Sequence, residues 1–279
     1  MTGTLYLCAT PIGNLSDITF RVLDTLKEVD MIAAEDTRNS IKLLNHFEIK
    51  TPMTSYHEYN KVEKAEQIVG WLMSGKNIAL ITDAGTPAIS DPGEVLVQKC
   101  FKAGIPVTSL PGCCALITAL TLSGISARRF CFEGFLPAEK KERRFVLEEL
   151  GREMRTIILY EAPHHLRKTL AELYEVLGER RITLCRELTK RFETVFPTTF
   201  EHAVAYYEKE EPRGEYVLVI EGIERSRIKL DEQAKWKEIS IREHMQLYEN
   251  QGMERKEAMK KVAADRGLSK REVYQALLS

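Results

Sequence analysis

Hydrophobic residues between positions 4 and 111 form short apolar runs that alternate with amphipathic stretches. The pattern predicts strands at 5–10, 31–34, 78–82 and 107–110, with helices at 18–29, 62–73 and 94–103 between them. Apolar strands separated by helices of this length are typical of a mostly parallel sheet that is covered on both faces. Ligands of such sheets bind at the carboxyl ends of the strands.

A second series of elements follows position 112. It comprises a helix at 114–122, a helix at 162–177 that starts near Pro163 and ends at Gly178, and strands at 130–135, 156–160, 182–188 and 216–221. The order of these elements does not copy the first series. The sequence therefore predicts a second α/β domain.

The apolar periodicity lapses into charged residues at 225–237, which predicts a linker. Helices follow at 240–250, 254–265 and 270–278, and the last two have the length of a helix-turn-helix unit with Ser269 as an N-cap. We therefore predict an α/β fold with an N-terminal domain at 1–112, a C-terminal α/β domain at 113–224, the linker at 225–237 and a helical appendage at 238–279.

The composition is that of an ordinary soluble protein, with 279 residues, 44% hydrophobic and 29% charged residues, and a net charge of −1. Any nucleic-acid surface must therefore be a local patch. From Glu224 onward the chain contains thirteen Lys and Arg residues and ten Asp and Glu residues, so the basic excess lies at the C-terminal end.

The six cysteines form no disulfide framework, and no secretion signal or membrane span is recognisable. We expect a cytoplasmic protein that does not bind a membrane.

Residues 79–93 carry the richest local signal, because a strand there runs into a loop with two Gly, two Pro and two Asp. The phosphate-binding patterns G-x-x-x-x-G-K-[ST] and G-x-G-x-x-G are both absent. By itself this loop fits a tight structural turn as well as a ligand site. Polar or turn-forming residues also follow the other strands, at 11–17, 35–38 and 110–113, so four loops are expected to form the rim of one pocket. Neither a paired Cys/His spacing nor G-x-S-x-G occurs, which argues against a metal site and a serine hydrolase.

Eight motifs resemble, in order, those of the ribosomal RNA small subunit methyltransferase I family, a branch of the tetrapyrrole methylase superfamily. They are TPIGNL (10–15), AEDTR (34–38), TDAGTPAISDPG (82–93), LPG (110–112), FEGFLP (132–137), YEAP (160–163), CRELTK (185–190) and RGEY (213–216). The resemblance implies two α/β domains with S-adenosylmethionine in the cleft between them. It also implies a homodimer, and a cytidine 2′-hydroxyl in the decoding region of 16S ribosomal RNA as the methyl acceptor.

The resemblance also implies the residues of the site. The residues expected to bind the cofactor are Asp83, Ala84, Gly85, Thr86, Ile89, Ser90, Asp91, Pro111, Gly112, Tyr160, Glu161 and Gly214. The residues expected in catalysis are Glu35, Asp36 and Glu187 as proton acceptors and Arg38 as a phosphate or ribose contact. Two of these have structural alternatives: Glu187 could be an ion-paired surface carboxylate, and Asp36 could cap the helix that follows.

Basic residues near the second-domain loops and in the appendage are expected to contact RNA phosphates. They are Arg128, Arg129, Lys140, Lys141, Arg186, Lys190, Lys270 and Arg271. For the lysines at 140 and 141 the alternative is a solvated helix start, with Glu139 and Glu142 interleaved. For the C-terminal helices the alternative to an RNA-docking arm is an appendage that only packs against the rest of the protein.

Three hypotheses follow. The first is a homodimeric S-adenosylmethionine-dependent methyltransferase that acts on 16S ribosomal RNA, with the assembled small subunit as its expected partner and without a metal. The second keeps the fold and the cofactor but methylates a small tetrapyrrole. The third is a non-catalytic RNA-binding or assembly factor.

Overall fold

The computed structural model describes residues 1–278, without the side chains of Asp231 and Glu232. Ser279, the last residue of the predicted appendage, lies outside the described residues. The chain divides into two compact units. The first contains residues 1–150 and 156–221, and the second contains residues 151–155 and the chain from Gly222 onward.

Five parallel strands form the first sheet of the first unit. They are β1 (Leu5–Cys8), β2 (Met31–Ala34), β3 (Met53–Ser55), β4 (Ile78–Ile81) and β5 (Val107–Leu110), in the order β3-β2-β4-β1-β5. The helices of this half are α1 (Phe20–Glu28), α2 (Thr37–His46), α3 (Lys61–Met73) and α4 (Gly93–Lys102). All connections are crossovers, so every strand ends at the same edge of the sheet.

The residues of β4 alternate between two hydrophobic cores. Ile78 and Leu80 pack in the core that contains residues of α3 and α4, whereas Ala79 and Ile81 pack in the core that contains residues of α1 and α2. Complete burial of an Ile or Leu side chain contributes about 1.5–3 kcal/mol. The sheet is therefore covered on both faces, as its near-continuous apolar strands predict.

The second sheet of the same unit is mixed. Its strands are β6 (Phe130–Gly134), β7 (Thr156–Glu161), β8 (Arg181–Arg186), β9 (Thr194–Thr199) and β10 (Tyr216–Ile220), in the order β6-β7-β10-β8-β9. Only β6 and β7 pair in parallel among these described strands. Its helices are α5 (Ala115–Leu122), α6 (Lys140–Leu150), α7 (Pro163–Leu177) and α8 (Phe200–Lys209). One core holds residues of α6, α7 and α8, and another holds residues of α5. The predicted α/β class with two sheets is confirmed.

Some elements differ from the predictions. The strand predicted at 182–188 ends at Arg186, so residues 187–190 form a loop. The short strand β3, the edge strand β9 and the helices α2, α6 and α8 received no bounds in the sequence analysis. The strand β9 contains Pro197 and lies at the sheet edge, which is where proline is tolerated in a strand.

The second unit is helical. It contains α9 (Arg225–Lys235), α10 (Ile241–Asn250), α11 (Arg255–Arg266) and α12 (Lys270–Leu278), and the last three share a small core. Ser240 begins α10 with a capping box to Glu243, and Ser269 exchanges the same pair of hydrogen bonds with Glu272 ahead of α12. The predicted linker is therefore mostly helical and belongs to this unit. No helix in the described part of the chain is both long and apolar enough to cross a membrane.

Candidate active site

Loops from neighbouring strands of the first sheet meet at its carboxyl edge. Thr10, just after β1, exchanges two backbone hydrogen bonds of 2.9 and 3.0 Å with Gly85 in the loop after β4. The Thr82 hydroxyl, at the end of β4, donates to Glu35 Oε2 at 2.5 Å. The loops after β1, β2 and β4 are thus joined by direct hydrogen bonds.

Asp91 fixes the conformation of the loop between β4 and α4. Its carboxylate accepts hydrogen bonds from the backbone amides of Ala88 at 3.0 Å, Ile89 at 3.1 Å and Gly93 at 2.8 Å. Ala88 and Ser90 adopt positive φ values of 65° and 66°, which L-residues rarely do. Asp91 lines the cavity described below, and its bonds to the loop give it a structural function as well.

Pro111 and Gly112 occupy the start of the loop after β5, but they are not among the described residues that line the cavity. A Cβ atom at Gly112 would lie 2.7 Å from the Cβ of Ala9, so glycine allows this loop to pack against β1. The next residue, Cys113, accepts a hydrogen bond of 2.9 Å from the Thr86 hydroxyl. The structure thus shows a packing function for Gly112.

A cavity of about 540 Å³ lies at this edge, bounded by both sheets of the first unit. Ligand cavities typically have volumes of roughly 300–1,000 Å³. Of the residues expected in the site, the cavity is lined by Glu35, Asp83, Ala84, Gly85, Thr86, Ile89, Ser90, Asp91, Tyr160, Glu161, Glu187 and Lys190. Those absent from its described lining, besides Pro111 and Gly112, are Asp36, Arg38, Arg186 and Gly214.

Several residues of this lining were not predicted from the sequence. They are Ile12, Thr82, Cys114, Ala115, Phe135, Ala162, Pro163, Cys185, Leu188, Glu215, Tyr216 and Val217. Most of them lie within or directly beside the quoted motifs, and that proximity was the available signal. Which neighbour faces the cavity depends on how the second sheet packs, and no local pattern encodes this.

Glu187 and Lys190 form an ion pair on the wall that the second sheet contributes. Lys190 Nζ lies 2.9 Å from Glu187 Oε1 and 2.9 Å from Glu215 Oε2, and the Glu215 amide donates to Glu187 Oε1 at 3.1 Å. Burial alone would raise the pKa of Glu187, but the hydrogen bonds from Lys190 and the Glu215 amide, with the charges of Lys190 and Arg186, lower it. The ion-paired alternative for Glu187 matches this geometry, although its side chain is only 22% exposed.

Gly214 contacts the Glu187 side chain directly. A Cβ atom at position 214 would lie 2.6 Å from Glu187 Cδ, and the backbone φ of Gly214 is 75°. Glu187 itself has a φ of 52°. Gly214 therefore bounds the site indirectly, by leaving room for the Glu187 carboxylate.

Glu161 and Tyr160 complete the second-sheet wall. Glu161 is 5% exposed, and its carboxylate accepts hydrogen bonds from the Thr169 hydroxyl at 2.5 Å and the Ala162 amide at 2.8 Å. The Tyr160 hydroxyl accepts a hydrogen bond of 3.2 Å from the amide of Leu116, and burial raises the pKa of Tyr160 to about 12. Both side chains are thus held in fixed positions.

Asp36 and Arg38 pair with each other at the start of α2. Asp36 is the N-cap residue, and its carboxylate accepts hydrogen bonds from the Arg38 amide at 2.8 Å and from the Arg38 guanidinium at 3.1 and 2.8 Å. These bonds lower the pKa of Asp36 to about 2. The helix-cap alternative for Asp36 is what the structure shows.

Asp83 and Glu35 lie on the first-sheet side of the cavity, and their surroundings differ from those of Asp36. Asp83 Oδ1 accepts a hydrogen bond of 3.2 Å from the Asp36 amide, and Asp83 Oδ2 accepts one of 3.3 Å from Asn39 Nδ2. Burial, together with the charge of Glu35, raises the pKa of Asp83 despite the bond from Asn39. No ion pair to Glu35 or Asp83 occurs within residues 1–278 as described.

The cavity is strongly acidic. Among the described residues that line it, six carry carboxylates and one, Lys190, carries a side-chain cation. Such a wall attracts positive charge and disfavours polyphosphates. The residues fit S-adenosylmethionine, because its sulfonium and ammonium groups are cations and its adenine ring matches the apolar surface of Phe135, Tyr160 and Val217.

The basic residues expected to contact RNA have varied surroundings. Arg128, Arg129, Lys140 and Lys141 are exposed in the first unit, and Lys270 and Arg271 are exposed at the start of α12 in the second. Arg186 Nη2 lies 3.5 Å from the carbonyl of Phe192, and Lys190 is held by two carboxylates. No cluster of His, Cys, Asp or Glu in the described chain is arranged to hold a metal ion.

The fold has known counterparts. The family model for Tetrapyrrole (Corrin/Porphyrin) Methylases matches residues 4–204. The structure of uroporphyrin-III-C-methyltransferase from Thermus thermophilus aligns with 78% of this chain and 94% of its own, at 18% identity and a TM-score of 0.56. The methyltransferase CobJ aligns with 80% of this chain and 95% of its own, at 16% identity and a TM-score of 0.60. These solved structures share the fold of the first unit, which is the tetrapyrrole methylase fold.

Closer relatives carry one name, ribosomal RNA small subunit methyltransferase I. The relative from Bacillus subtilis is 48% identical over 98% of this chain and 94% of its own. The relative from Synechocystis is 46% identical over 99% of this chain and 98% of its own, and that from Haemophilus influenzae is 52% identical over 81% of each. The chain belongs to the tetrapyrrole methylases and, within them, to the ribosomal RNA small subunit methyltransferase I family. The resemblance inferred from the motifs is confirmed.

Proposed function

We propose that this protein transfers a methyl group from S-adenosylmethionine to the ribose 2′-hydroxyl of a cytidine in the decoding region of 16S ribosomal RNA. The observation that carries the proposal is the acidic cavity at the strand ends, in a chain 48% identical to a relative named ribosomal RNA small subunit methyltransferase I. The partners are the small ribosomal subunit and a second copy of the chain. The site of action is the cytoplasm.

Residues of both cavity walls would hold the cofactor. When bound, S-adenosylmethionine supplies an electrophilic methyl group on a positively charged sulfur. Asp83 and Glu187 lie on opposite walls and would balance the charges of the ligand, while Tyr160 would pack against its apolar part. Because these side chains are fixed by hydrogen bonds, they orient the reactants before reaction. Such orientation can contribute roughly 7–11 kcal/mol to catalysis.

Glu35 is the proton acceptor that the electrostatics favour. A ribose hydroxyl attacks well only when a base takes its proton, and a positioned base contributes about 10²–10⁴-fold. Asp36 and Glu187 are each bonded to a cation that lowers their pKa, which weakens them as bases. Glu35 lines the cavity and is bonded through Oε2 to the neutral hydroxyl of Thr82, so Oε1 is the atom that would receive the proton.

RNA binding would depend on surfaces outside the acidic cavity. Exposed cations attract the phosphate backbone and release counterions, so affinity should fall as salt rises. Arg128, Arg129, Lys140 and Lys141 supply such cations on the first unit. Lys270 and Arg271 supply them on the helical unit, in keeping with RNA docking by the appendage.

The tetrapyrrole alternative is not favoured. The relatives that match nearly the whole chain are named for ribosomal RNA, whereas the likeness to uroporphyrin-III-C-methyltransferase at 18% identity concerns the fold. The non-catalytic alternative predicts RNA binding without cofactor affinity. Calorimetry with S-adenosylmethionine tests it directly, since a folded sample with no detectable binding would remove both enzyme hypotheses.

The decisive experiment is transfer of labelled methyl from S-adenosylmethionine to small subunits isolated from cells that lack this protein. We expect the label in 2′-O-methylcytidine after nucleoside analysis of 16S RNA. Label in another nucleoside would overturn the acceptor assignment. Absence of label with folded, cofactor-binding protein would overturn the RNA substrate and leave a small-molecule acceptor to be tested.

A further inference from the structure

A second, smaller cavity adjoins the first at the end of β4. Its volume is about 240 Å³, and Thr82 and Asp83 line both cavities. The remaining walls come from the loop after β1 and from α2, so the second cavity lies on the side of Asp83 that faces Asn39. It is smaller than the roughly 300–1,000 Å³ typical for drug-sized ligands, which suits a fragment such as one nucleobase.

Hydrogen-bonding groups of this cavity form a row of donors and acceptors. Lys42 Nζ lies 3.5 Å from Asn39 Oδ1, and Asn39 Nδ2 lies 3.3 Å from Asp83 Oδ2. Both contacts are long, so a ligand with better geometry can replace them. A carboxylate has about four lone-pair sites, and Asp83 Oδ1 and Oδ2 each accept one bond here. Asp83 therefore retains the capacity to accept hydrogen bonds from a ligand.

We propose that this second cavity binds the base of the target nucleotide and reads it as cytosine. Asp83 accepts a hydrogen bond from the N4 amino group, and the Asn39 amide donates to the acceptor atoms on the same edge of the base. Acidic side chains are the usual partners of the cytosine amino group. The inference rests on the proposed function, because it assumes that the acceptor is a ribonucleotide.

The positions of the two cavities suit a nucleotide that is extruded from its strand. Sequence-specific RNA recognition mostly targets unpaired bases that are splayed out and read on their Watson–Crick edges. With the base on one side of Asp83, the attached ribose lies toward the larger cavity, where Glu35 and the methyl donor would meet it. Pro11, Leu15 and Leu43 supply apolar surface for the faces of the base.

The same groups reject uracil. Uracil carries an oxygen acceptor where cytosine carries its amino group, so its O4 would meet the Asp83 carboxylate without a proton between them. One good pair of base-edge hydrogen bonds discriminates by about 10–100-fold.

The test compares small subunits that carry either cytidine or uridine at the methylated position. We expect wild-type protein to prefer cytidine in kcat/KM. The Asn39→Ala variant should reduce that preference by about 10-fold and raise the KM for subunits, with the Kd for S-adenosylmethionine unchanged. Asn45→Ala makes the same change on an exposed position of α2 outside the cavity, and should match wild type.

Asp83→Asn provides a readout that a structural role would not give. An amide at this position can donate to uracil O4, so the ratio of cytidine to uridine methylation should fall by about 10–100-fold. If Asp83→Asn loses cofactor binding in calorimetry, the Asn39→Ala result decides. Unchanged preference and KM in Asn39→Ala, or no base preference in wild type, would overturn this inference while transfer to cytidine still supports the proposed function. Absence of transfer by wild type to either substrate would overturn the proposed function itself.

Discussion

The two walls of the larger cavity hold their carboxylates in different ways. On the first-sheet wall, Glu35 and Asp83 are bonded to neutral donors, namely a hydroxyl, a side-chain amide and a backbone amide. On the second-sheet wall, Glu187 and Glu215 share the cation of Lys190. A carboxylate without a cation takes up a proton more readily than one with a cation. The comparison supports the proposal that Glu35 of the first wall accepts the proton, and that the ion-paired carboxylates of the second wall help to place the ligand.

The largest expected effect comes from removing Glu35, the proposed base on the first wall. Glu35→Gln should lower kcat by about 10²–10⁴-fold, because the amide cannot accept the proton, while cofactor affinity stays within a few-fold. Single-turnover methyl transfer at saturating cofactor measures this effect. Glu94→Gln makes the same change in the first turn of α4, outside the cavity, and should retain activity. A loss below 10-fold for Glu35→Gln would remove the proposed contrast between the walls.

Crowding the second wall should have the next largest effect, on binding. Gly214→Ala brings a Cβ atom against Glu187 and strains a positive φ, so we expect the Kd for S-adenosylmethionine to rise about 10-fold, or about 1.4 kcal/mol. Gly104→Ala is the matched control, because it has a similar φ of 68° with no atom within 4 Å of the added Cβ. Equal cofactor affinity in both variants would show that Gly214 does not position Glu187.

Removing the cation of the second wall sharpens the comparison through pH. Lys190→Met should lower the free energy of unfolding by about 1–2 kcal/mol at neutral pH, because Glu187 and Glu215 lose their partner. In wild type the pKa of Glu187 is lowered, so the stabilisation is present above the unfolded pKa of about 4.3 and is lost as pH falls through the folded value. In the Lys190→Met variant, the free energy of unfolding should not show this loss as pH falls.

Urea unfolding between pH 3 and pH 7 measures the difference between Lys190→Met and wild type. Lys99→Met removes an ion pair with Glu66, whose side chain is 72% exposed against 22% for Glu187, and serves as the control. The same pH dependence in Lys190→Met and wild type would show that the ion pair does not set the pKa of Glu187.

The smallest effect is expected at Asp36. Asn caps a helix about as well as Asp does, and the lost partner Arg38 is 88% exposed, so Asp36→Asn should change kcat by a few-fold at most. Methyl transfer at saturating cofactor checks this expectation. A fall of more than 100-fold would mean that Asp36 acts in catalysis and that the first wall contains a second essential carboxylate.

Much of the first sheet and its loops could be predicted from the sequence. The run at 31–34 corresponds to β2 in full, because a buried parallel strand leaves a continuous apolar signal. The prediction at 107–110 also matches β5 in full, although Thr108 and Ser109 of this edge strand are polar and exposed. Loops that follow parallel strands converge by topology alone, so the convergence at the carboxyl edge was foreseeable. The three-residue strand β3 carries too few residues to show any periodicity.

The second wall could be predicted less well. Residues such as Phe135, Glu215 and Val217 reach the cavity because two sheets pack together, and each sheet alone gives no signal of that contact. The pairing of Asp36 with Arg38 depends on side-chain geometry within one helical turn. For such residues the motif indicates the region of the cavity, and only the fold shows which side chains line the cavity and which one caps a helix.

The positive φ angles of Ala88, Ser90, Glu187 and Thr189 have a consequence for how this protein can change. Each holds a non-glycine residue in a conformation that costs roughly 1–3 kcal/mol. Ser90 and Glu187 line the cavity, and Ala88 and Thr189 lie beside them in the same loops. Selection for thermostability alone would favour glycine or asparagine at these positions. At these four positions, selection for thermostability therefore conflicts with selection for a rigid, preorganised pocket.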